Sequence, residues 1–408
     1  MKLDQNKLKK SLNICLCSKF NNRHQKYLFS NINIDDNRFT NKPNKLFICK
    51  KCSMIYLKIE NSIQKKINKY YSLSNHFLKP GYISSDQKIR REGQVNWVIE
   101  SIPNYKEKIH SILDIGSGSG YFLNVFKKKG IKNLLGIDFS KSMISFMKKK
   151  YLIKGKVGDF NKISNKVKYD LISCIQVLEH TINPKNIIKK AKKILNLNGY
   201  IFIEVPDSEK PRYNQLPGFY VFDHIYHFTE KSLCTLLENN GFEIISTSHI
   251  DNPKDSGNPF TALRVLARKR NNFQRRYIVD TRESLRMFNI IKNYKNKHNN
   301  YIKKFGKKIG KIKSKIKTNK YAIFCAGEHT NLLLSYFYNL FSDLFTIYDG
   351  DRFLSKKKVF GFTVSNSSTI SKNNMVKNFI ISSTNHEKEI FEFLKKINKK
   401  FKVYKLYN

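Results

Sequence analysis

Residues 111–122 read SILDIGSGSGYF. An apolar run ends in Asp114, and Gly116, Gly118 and Gly120 then alternate with serines. Glycine removes the Cβ where a ligand must come close to the backbone, and it tolerates positive φ. In a doubly wound sheet, ligands lie at the carboxyl ends of the strands, where the first strand turns into its helix. This stretch suits that place. The dinucleotide fingerprint requires G-x-G-x-x-G, but position 121 is Tyr and the loop reads D-x-G-x-G-x-G.

Working outward, short apolar runs alternate with Lys-rich helical segments: NLLGIDF at 133–139, YDLISCIQV at 169–177, GYIFIEVP at 199–206, FEIIST at 242–247 and TALRVLARK at 261–269. Strand, helix, strand at this spacing predicts a parallel α/β sheet. The expected α/β domain spans 86–269, with 86–105 as a helix leading into it. Residues 270–319 carry apolar residues at helical spacing among many lysines and read as a basic helical linker of one or two helices. From 320 the α/β rhythm restarts with YAIFCAGEHT, LFTIYDGD, VFGFTVS and NFIISST before a final helix, which predicts a second, smaller Rossmann-like lobe over 320–408.

Later positions agree with the glycine loop. Asp138 ends the second strand about 20 residues on, where an acid accepts hydrogen bonds from ribose hydroxyls. GKVGDF at 155–160 ends the third strand in Asp159, and LNLNGYIFIEVPD at 195–207 supplies a turn and a fifth strand. This ordered set resembles the class I S-adenosylmethionine-dependent methyltransferases. The resemblance implies an α/β, Rossmann-like seven-stranded fold with S-adenosylmethionine as cofactor. It places Asp114, Gly116, Gly118 and Gly120 at the cofactor's amino-acid part, and Asp138 with Phe139 at the ribose. Asp159 would meet the adenine amine with Phe160 against the ring. Gln176, Val177, Leu178, Glu179 and His180 are similar to the family's V-L-E-H segment beside cofactor and substrate.

Four of the seven cysteines lie in residues 1–60. Cys49 and Cys52 form C-x-x-C, a knuckle suited to tetrahedral zinc, and Cys15 with Cys17 (C-x-C) would complete a structural site, with His24 as a substitute ligand. Disulfides are the rival reading, disfavoured in a cytoplasmic setting.

The segment FYVFDHIYHFTEKSLCTLLENNGFEII at 219–245 is the expected acceptor side. An imidazole titrates near neutrality and can take a proton from an acceptor carbon or hydroxyl. The base candidates are His224, Tyr226 and His227, with His180 and Glu179 competing. If the segment is extended, Asp223, Ile225 and His227 share one side while His224 and Tyr226 share the other. Cysteine knuckle, methyltransferase domain, basic helices and a Rossmann-like lobe, in that order, resemble the sugar C-methyltransferases. That resemblance implies a zinc-binding segment and a 4-keto nucleotide-linked sugar as acceptor, enolised beside its ketone to give the carbon that attacks the methyl. It also implies a place in glycan or surface polysaccharide biosynthesis. Asp223 precedes His224 where the family shows His-Glu-His, so the base, and the choice among carbon, oxygen and nitrogen as methylated atom, stay open. The last lobe resembles domains that begin GAGEHT, with Cys325 in place of the first Gly; it is expected to hold the acceptor or to form a homodimer.

Composition bounds the rest. The chain has 408 residues, 40% hydrophobic and 13% aromatic, enough for two or three cores. No run of about 18 apolar residues predicts a membrane span, and the polar N-terminus has no apolar signal core, so a cytoplasmic protein is expected. The net charge of +46, from 77 Lys+Arg against 31 Asp+Glu, would attract polyanions. The lysines are nevertheless scattered among Asn and Ile along the whole length, the pattern an AT-rich genome imposes. No aromatic-rich RNA-binding module accompanies them, which argues against nucleic acid as the partner.

Overall fold

The computed structural model describes residues 28–34, 44–49, 52–57, 83 and 85–407, apart from 217, 222, 252–260, 272–280, 317–319, 352–353, 373–374 and 384–385. The chain divides into two compact units, one formed by residues 1–212 and 219–294, the other by 213–218 and 295–408.

In the first unit the helix α1 (Ser85–Ser101) precedes β4 (Ser111–Ile115), α2 (Tyr121–Lys128), β5 (Asn133–Asp138), α3 (Lys141–Tyr151), β6 (Lys154–Val157), β7 (Tyr169–Ile175), α4 (Pro184–Ile194) and β8 (Leu195–Pro206). A short β9 (Tyr226–His227), α5 (Glu230–Glu238), β10 (Phe242–Ile250) and β11 (Ala262–Lys269) complete it. These strands, β9 excepted, form a seven-stranded sheet in the order β10-β11-β8-β7-β4-β5-β6. The sheet count agrees with the expectation, but TALRVLARK departs from it. β11 runs antiparallel to both β8 and β10 and lies between the two.

Successive strand residues belong to different cores, as a two-period strand covered on both faces requires. Ile112, Leu171 and Phe202 join Val95, Val98 and Phe122 from α1 and α2. Leu113, Ile172 and Ile203 join Ile187 and Ile188 of α4 and Leu233 and Leu237 of α5. Helix starts are set by local chemistry: Asn183 caps α4 with Pro184 in its first turn, and Thr229 with Ser232 forms a capping box on α5.

A second, four-stranded sheet stands at the amino end: β1 (Leu28–Ile34), β2 (Asn44–Cys49), β3 (Ile55–Leu57) and β9, in that order. Ile55 pairs with His227 and Tyr56 with Tyr226, so the cysteine segment is stitched to the expected acceptor segment. Sequence reading missed this pairing, since two residues of β9 carry no periodicity.

Residues 281–315 form one helix, α6 (Thr281–Lys315), with no break. Met287, Ile291 and Tyr294 enter the core of the first unit, and Phe305, Ile309 and Ile312 that of the second. In the second unit β12 (Tyr321–Phe324), α7 (Glu328–Phe337), β13 (Thr346–Asp349), β14 (Lys358–Val359), β15 (Phe362–Asn366), β16 (Asn378–Ile381), α8 (Glu387–Ile397) and β17 (Lys402–Lys405) follow. Its sheet order is β14-β15-β13-β12-β16-β17, parallel throughout except for the β14–β15 pair. β17 follows the helix expected to be final, its sequence KVYK too polar and short to stand out.

Candidate active site

The three loop glycines have positive φ, at 70°, 50° and 79° for Gly116, Gly118 and Gly120. Their surroundings differ. A Cβ on Gly116 would lie 2.2 Å from Val177 Cγ2, and one on Gly120 2.3 Å from Met147 Cγ, whereas one on Gly118 would meet nothing within 4 Å. Two glycines therefore serve packing, and Gly118 faces open space. The loop is tied to β5 by Gly116 and Ser117 N–H groups donating to Ile137 O at 2.8 and 3.0 Å.

Asp138 ends β5. Its Oδ2 accepts from Gly118 N at 2.8 Å and its Oδ1 from Ser140 N at 2.8 Å; burial raises its pKa against those donors. Phe139 beside it and Val157 at the end of β6 are exposed, 56% and 47%. Asp159 Oδ1 accepts from Asn161 N at 2.9 Å, capping a short turn. Phe160 departs from its expected place against the adenine ring: it is 3% exposed and packs within the core, because the turn capped by Asp159 points its side chain under the sheet.

Asp114 is buried at the end of β4. Burial raises its pKa to about 7, opposed by a 2.7 Å hydrogen bond from Ser173 Oγ and by the charge of Arg91. Next to it lies an ion-pair group that sequence reading missed. Glu204, fully buried on β8, accepts from Arg90 Nη2 at 2.6 Å and from Arg264 Nε at 2.9 Å. Burial would raise its pKa, but the two guanidinium groups hold it far below the usual carboxylate range. Gln176, at φ 56°, gives its N–H to Glu204 O at 2.7 Å and its Nε2–H to Glu204 Oε1 at 3.3 Å. The signal was a lone acid inside the apolar run YIFIEV and a lone Arg inside ALRVLA. Charges in a buried strand need partners.

From Gln176 the chain passes Val177, against Gly116, and enters a turn at 178–180 that carries Glu179 and His180. Glu179 is 1% exposed, no other described residue donates a hydrogen bond to either carboxylate oxygen, and burial raises its pKa to about 7 against the charge of His180. His180 Nε2 stands 3.7 Å from Glu179 Oε1. Its Nδ1 lies 2.9 Å from Asp223 O, an arrangement in which Nδ1–H donates and Nε2 keeps its lone pair. The rings of His180 and His224 are 4.8 Å apart. One ligand atom each from Glu179, His180 and His224 fall within 4.8 Å of one another.

The strict alternation expected across 223–227 does not hold, since only Tyr226 and His227 are strand and His224 N–H closes a turn onto Val221 O at 3.3 Å. The His224 ring consequently lies 5.9 Å from that of His227. His227 is buried, with its pKa lowered by burial to about 3, and its ring meets Tyr220 at 5.0 Å. Tyr226 is turned away into the core, its hydroxyl donating to Ile182 O at 3.3 Å and its ring 6.3 Å from Tyr56. Of the five base candidates the fold thus groups Glu179, His180 and His224, sets His227 alongside, and gives Tyr226 a packing position.

Cys49 and Cys52 are buried around a tight turn, with Ser53 N–H donating to Cys49 O at 2.9 Å and Ser53 at φ 58°. Cys15, Cys17 and His24 lie outside the described residues.

Comparison with known proteins bears on this geometry. The family description "Methyltransferase domain" matches residues 88–247. The chain is 22% identical over 160 residues to a ubiquinone biosynthesis O-methyltransferase of Nitrosomonas europaea, covering 38% of this chain and 67% of that one. It is 27% identical over 165 residues to a tRNA U34 carboxymethyltransferase of Campylobacter fetus, covering 36% and 56%. The alignments thus span about half to two thirds of these relatives. Among solved structures, magnesium protoporphyrin IX methyltransferase from Synechocystis aligns at 15% identity and TM-score 0.40, over 51% of this chain and 99% of that one. No helix among the described residues is long and apolar enough to cross a membrane. Residues 88–247 form a class I methyltransferase domain, and the protein is an S-adenosylmethionine-dependent methyltransferase.

Proposed function

We propose that the enzyme methylates a small oxygen-bearing acceptor, a nucleotide-linked 4-keto sugar, in glycan or surface polysaccharide synthesis. The observation that carries this reading is the grouping of Glu179, His180 and His224, directly downstream of the segment that packs on the glycine loop. S-adenosylmethionine lies with its amino-acid part over Gly118 and its ribose on Asp138, whose two oxygens have lone pairs to spare beside their backbone donors. Phe139 and Val157 offer an exposed apolar surface to the adenine, and Asp159 its amine. The methyl is already activated on a sulfonium, so the protein's task is to align the acceptor in line with it and to draw off a proton. As the acceptor's electron pair bonds to the methyl carbon, the carbon–sulfur bond breaks and its electrons return to sulfur.

The tight Cys49–Cys52 turn supports a structural zinc completed by Cys15 and Cys17, remote in role from the chemistry. The Rossmann-like second unit has an acceptor-holding or dimerising role.

The test is transfer of tritiated methyl to a panel of 4-keto nucleotide sugars, with tRNA as a control. A hydroxylated aromatic joins the panel, as the ubiquinone O-methyltransferases are among the relatives. Labelled sugar is the expected product, and His224→Ala lowers turnover while S-adenosylmethionine affinity stays the same. Label in tRNA alone, or unchanged turnover in the variant, defeats the assignment.

A further inference from the structure

Glu179 presents a contradiction that the methyl transfer does not resolve. A carboxylate taken out of water is costly unless it is paired and hydrogen-bonded, yet this one is 1% exposed and no other described residue donates a hydrogen bond to either oxygen. What faces it is the Nε2 of His180 at 3.7 Å, and that nitrogen is the ring's acceptor, because Nδ1 lies 2.9 Å from Asp223 O and donates there. With the ring neutral and the carboxyl ionised, two electron-pair donors therefore face each other. His224 adds a third donor atom, all three falling within 4.8 Å. Such a convergence of donor atoms is satisfied by a cation at its centre.

We infer that Glu179, His180 and His224 hold a divalent transition-metal ion that takes an oxygen of the acceptor as a further ligand. The donor set is of the kind that binds such ions: two imidazoles and a carboxylate, with coordination positions left open for substrate. Ligand atoms around such an ion lie roughly 3 to 3.5 Å apart, given bonds of about 2.0–2.2 Å, so the observed spacing closes with small side-chain rotations. The outer contact is also in place. A ligating histidine ordinarily donates its other ring N–H to a carbonyl or carboxylate, and the Asp223 carbonyl receives that of His180, with the Asp223 carboxylate 4.0 Å from the same nitrogen. Gln176, next but two in the chain, is drawn off by Glu204 and leaves Glu179 to the ion. With the ion bound, the imidazoles act through it: the coordinated acceptor oxygen, carbonyl or hydroxyl, is polarised and fixed in direction. This inference rests on the methyltransferase reading, and it gives the acceptor's oxygen a defined anchor.

The experiment is titration of the metal-free, full-length chain with Co²⁺. A sulfur-to-cobalt band in the near ultraviolet reports thiolate sites such as the cysteine segment, whereas a site of two imidazoles and a carboxylate gives visible ligand-field bands without it. One equivalent of the second kind is expected. Glu179→Gln, which keeps the side chain's shape, and His180→Ala should each weaken it on the order of a hundredfold or more, beyond the 10- to 100-fold of outer-contact changes. Calorimetric binding of S-adenosylmethionine, measured on the same samples, shows that each variant is folded and is expected to be unaltered. Loss of no visible-band equivalent in either variant, or its absence from wild type that binds S-adenosylmethionine, overturns the metal site and leaves the methyltransferase reading standing. Failure of wild type to bind S-adenosylmethionine overturns that reading as well.

Discussion

Exchanging Gly118 and Gly116 separately for alanine should divide cofactor binding from stability. Both residues sit at positive φ, 50° and 70°, where a side chain costs roughly 1–2 kcal/mol. For Gly118→Ala that is the whole cost of folding, since the added Cβ meets nothing within 4 Å. For Gly116→Ala the Cβ falls 2.2 Å from Val177 Cγ2 and adds overpacking of about 1–3 kcal/mol, for a total of about 2–5 kcal/mol. Urea unfolding followed by tryptophan fluorescence measures this in the right place. Trp97 is the single tryptophan of the chain, lies on α1 and packs on Phe202 at 5.7 Å, so it reports the first unit alone. Calorimetry with S-adenosylmethionine should show the reverse ranking per unit of stability lost. The Gly118→Ala methyl occupies space the ligand needs, and overpacking of ~1–3 kcal/mol corresponds to a loss of roughly 5- to 150-fold in affinity. Wild-type affinity in Gly118→Ala would refute the placement of the ligand over Gly118, and equal stability of the two variants would refute the close packing of Gly116 on Val177.

The remaining predictions concern charge. Glu204→Gln leaves Arg90 and Arg264 without their buried counter-ion and should cost about 3–5 kcal/mol in the Trp97-reported transition; a change below about 1 kcal/mol would show the network to be dispensable. In the second unit burial lowers the pKa of His329 to about 4, against a hydrogen bond to Ser382, while its Nε2 meets the Tyr407 hydroxyl. The unfolded chain takes up this proton below about 6.5. The neutral ring's contribution is therefore present above that pH and is lost as pH falls toward about 4, up to about 3 kcal/mol in all. Near-ultraviolet circular dichroism of urea unfolding at pH 7 and pH 4.5 should show the decline, and His329→Gln should flatten it; an unchanged slope in the variant would rule out His329 as its source.

The strand order that carries the glycine loop and its acids was legible because it is local. The order Asp114, glycine loop, Asp138, Asp159 rides on alternating strands and helices, and each acid follows its own apolar run within a few residues. What stayed hidden depends on contacts between distant segments. β11 reads like any other strand, and its antiparallel course between β8 and β10 shows only in the sheet. Glu204 and Arg264 each break an apolar run, but that they meet each other and Arg90 follows from sheet register and the position of α1. Phe160 was assigned by resemblance to a surface it does not occupy, because a side chain following a capped turn is aimed by that turn. On the acceptor side, the histidines were found as residue types, while their grouping required the turn at His224 that alternation could not foresee.

The pairing of β3 with β9 has a consequence for how this protein can be cut. The residues matched by the family description begin at 88, so a fragment begun there, even one extended through β11 to keep the sheet whole, omits β3 and leaves Tyr226 and His227 without their backbone partners. His224 is only two residues upstream of that lost seam, whereas the glycine loop is anchored to β5 inside the fragment. On the function proposed above, such a fragment would hold its nucleoside and drop its acceptor, the amino-terminal strands acting as a clasp on the segment that carries His224, and the smallest working piece would be larger than the recognisable one.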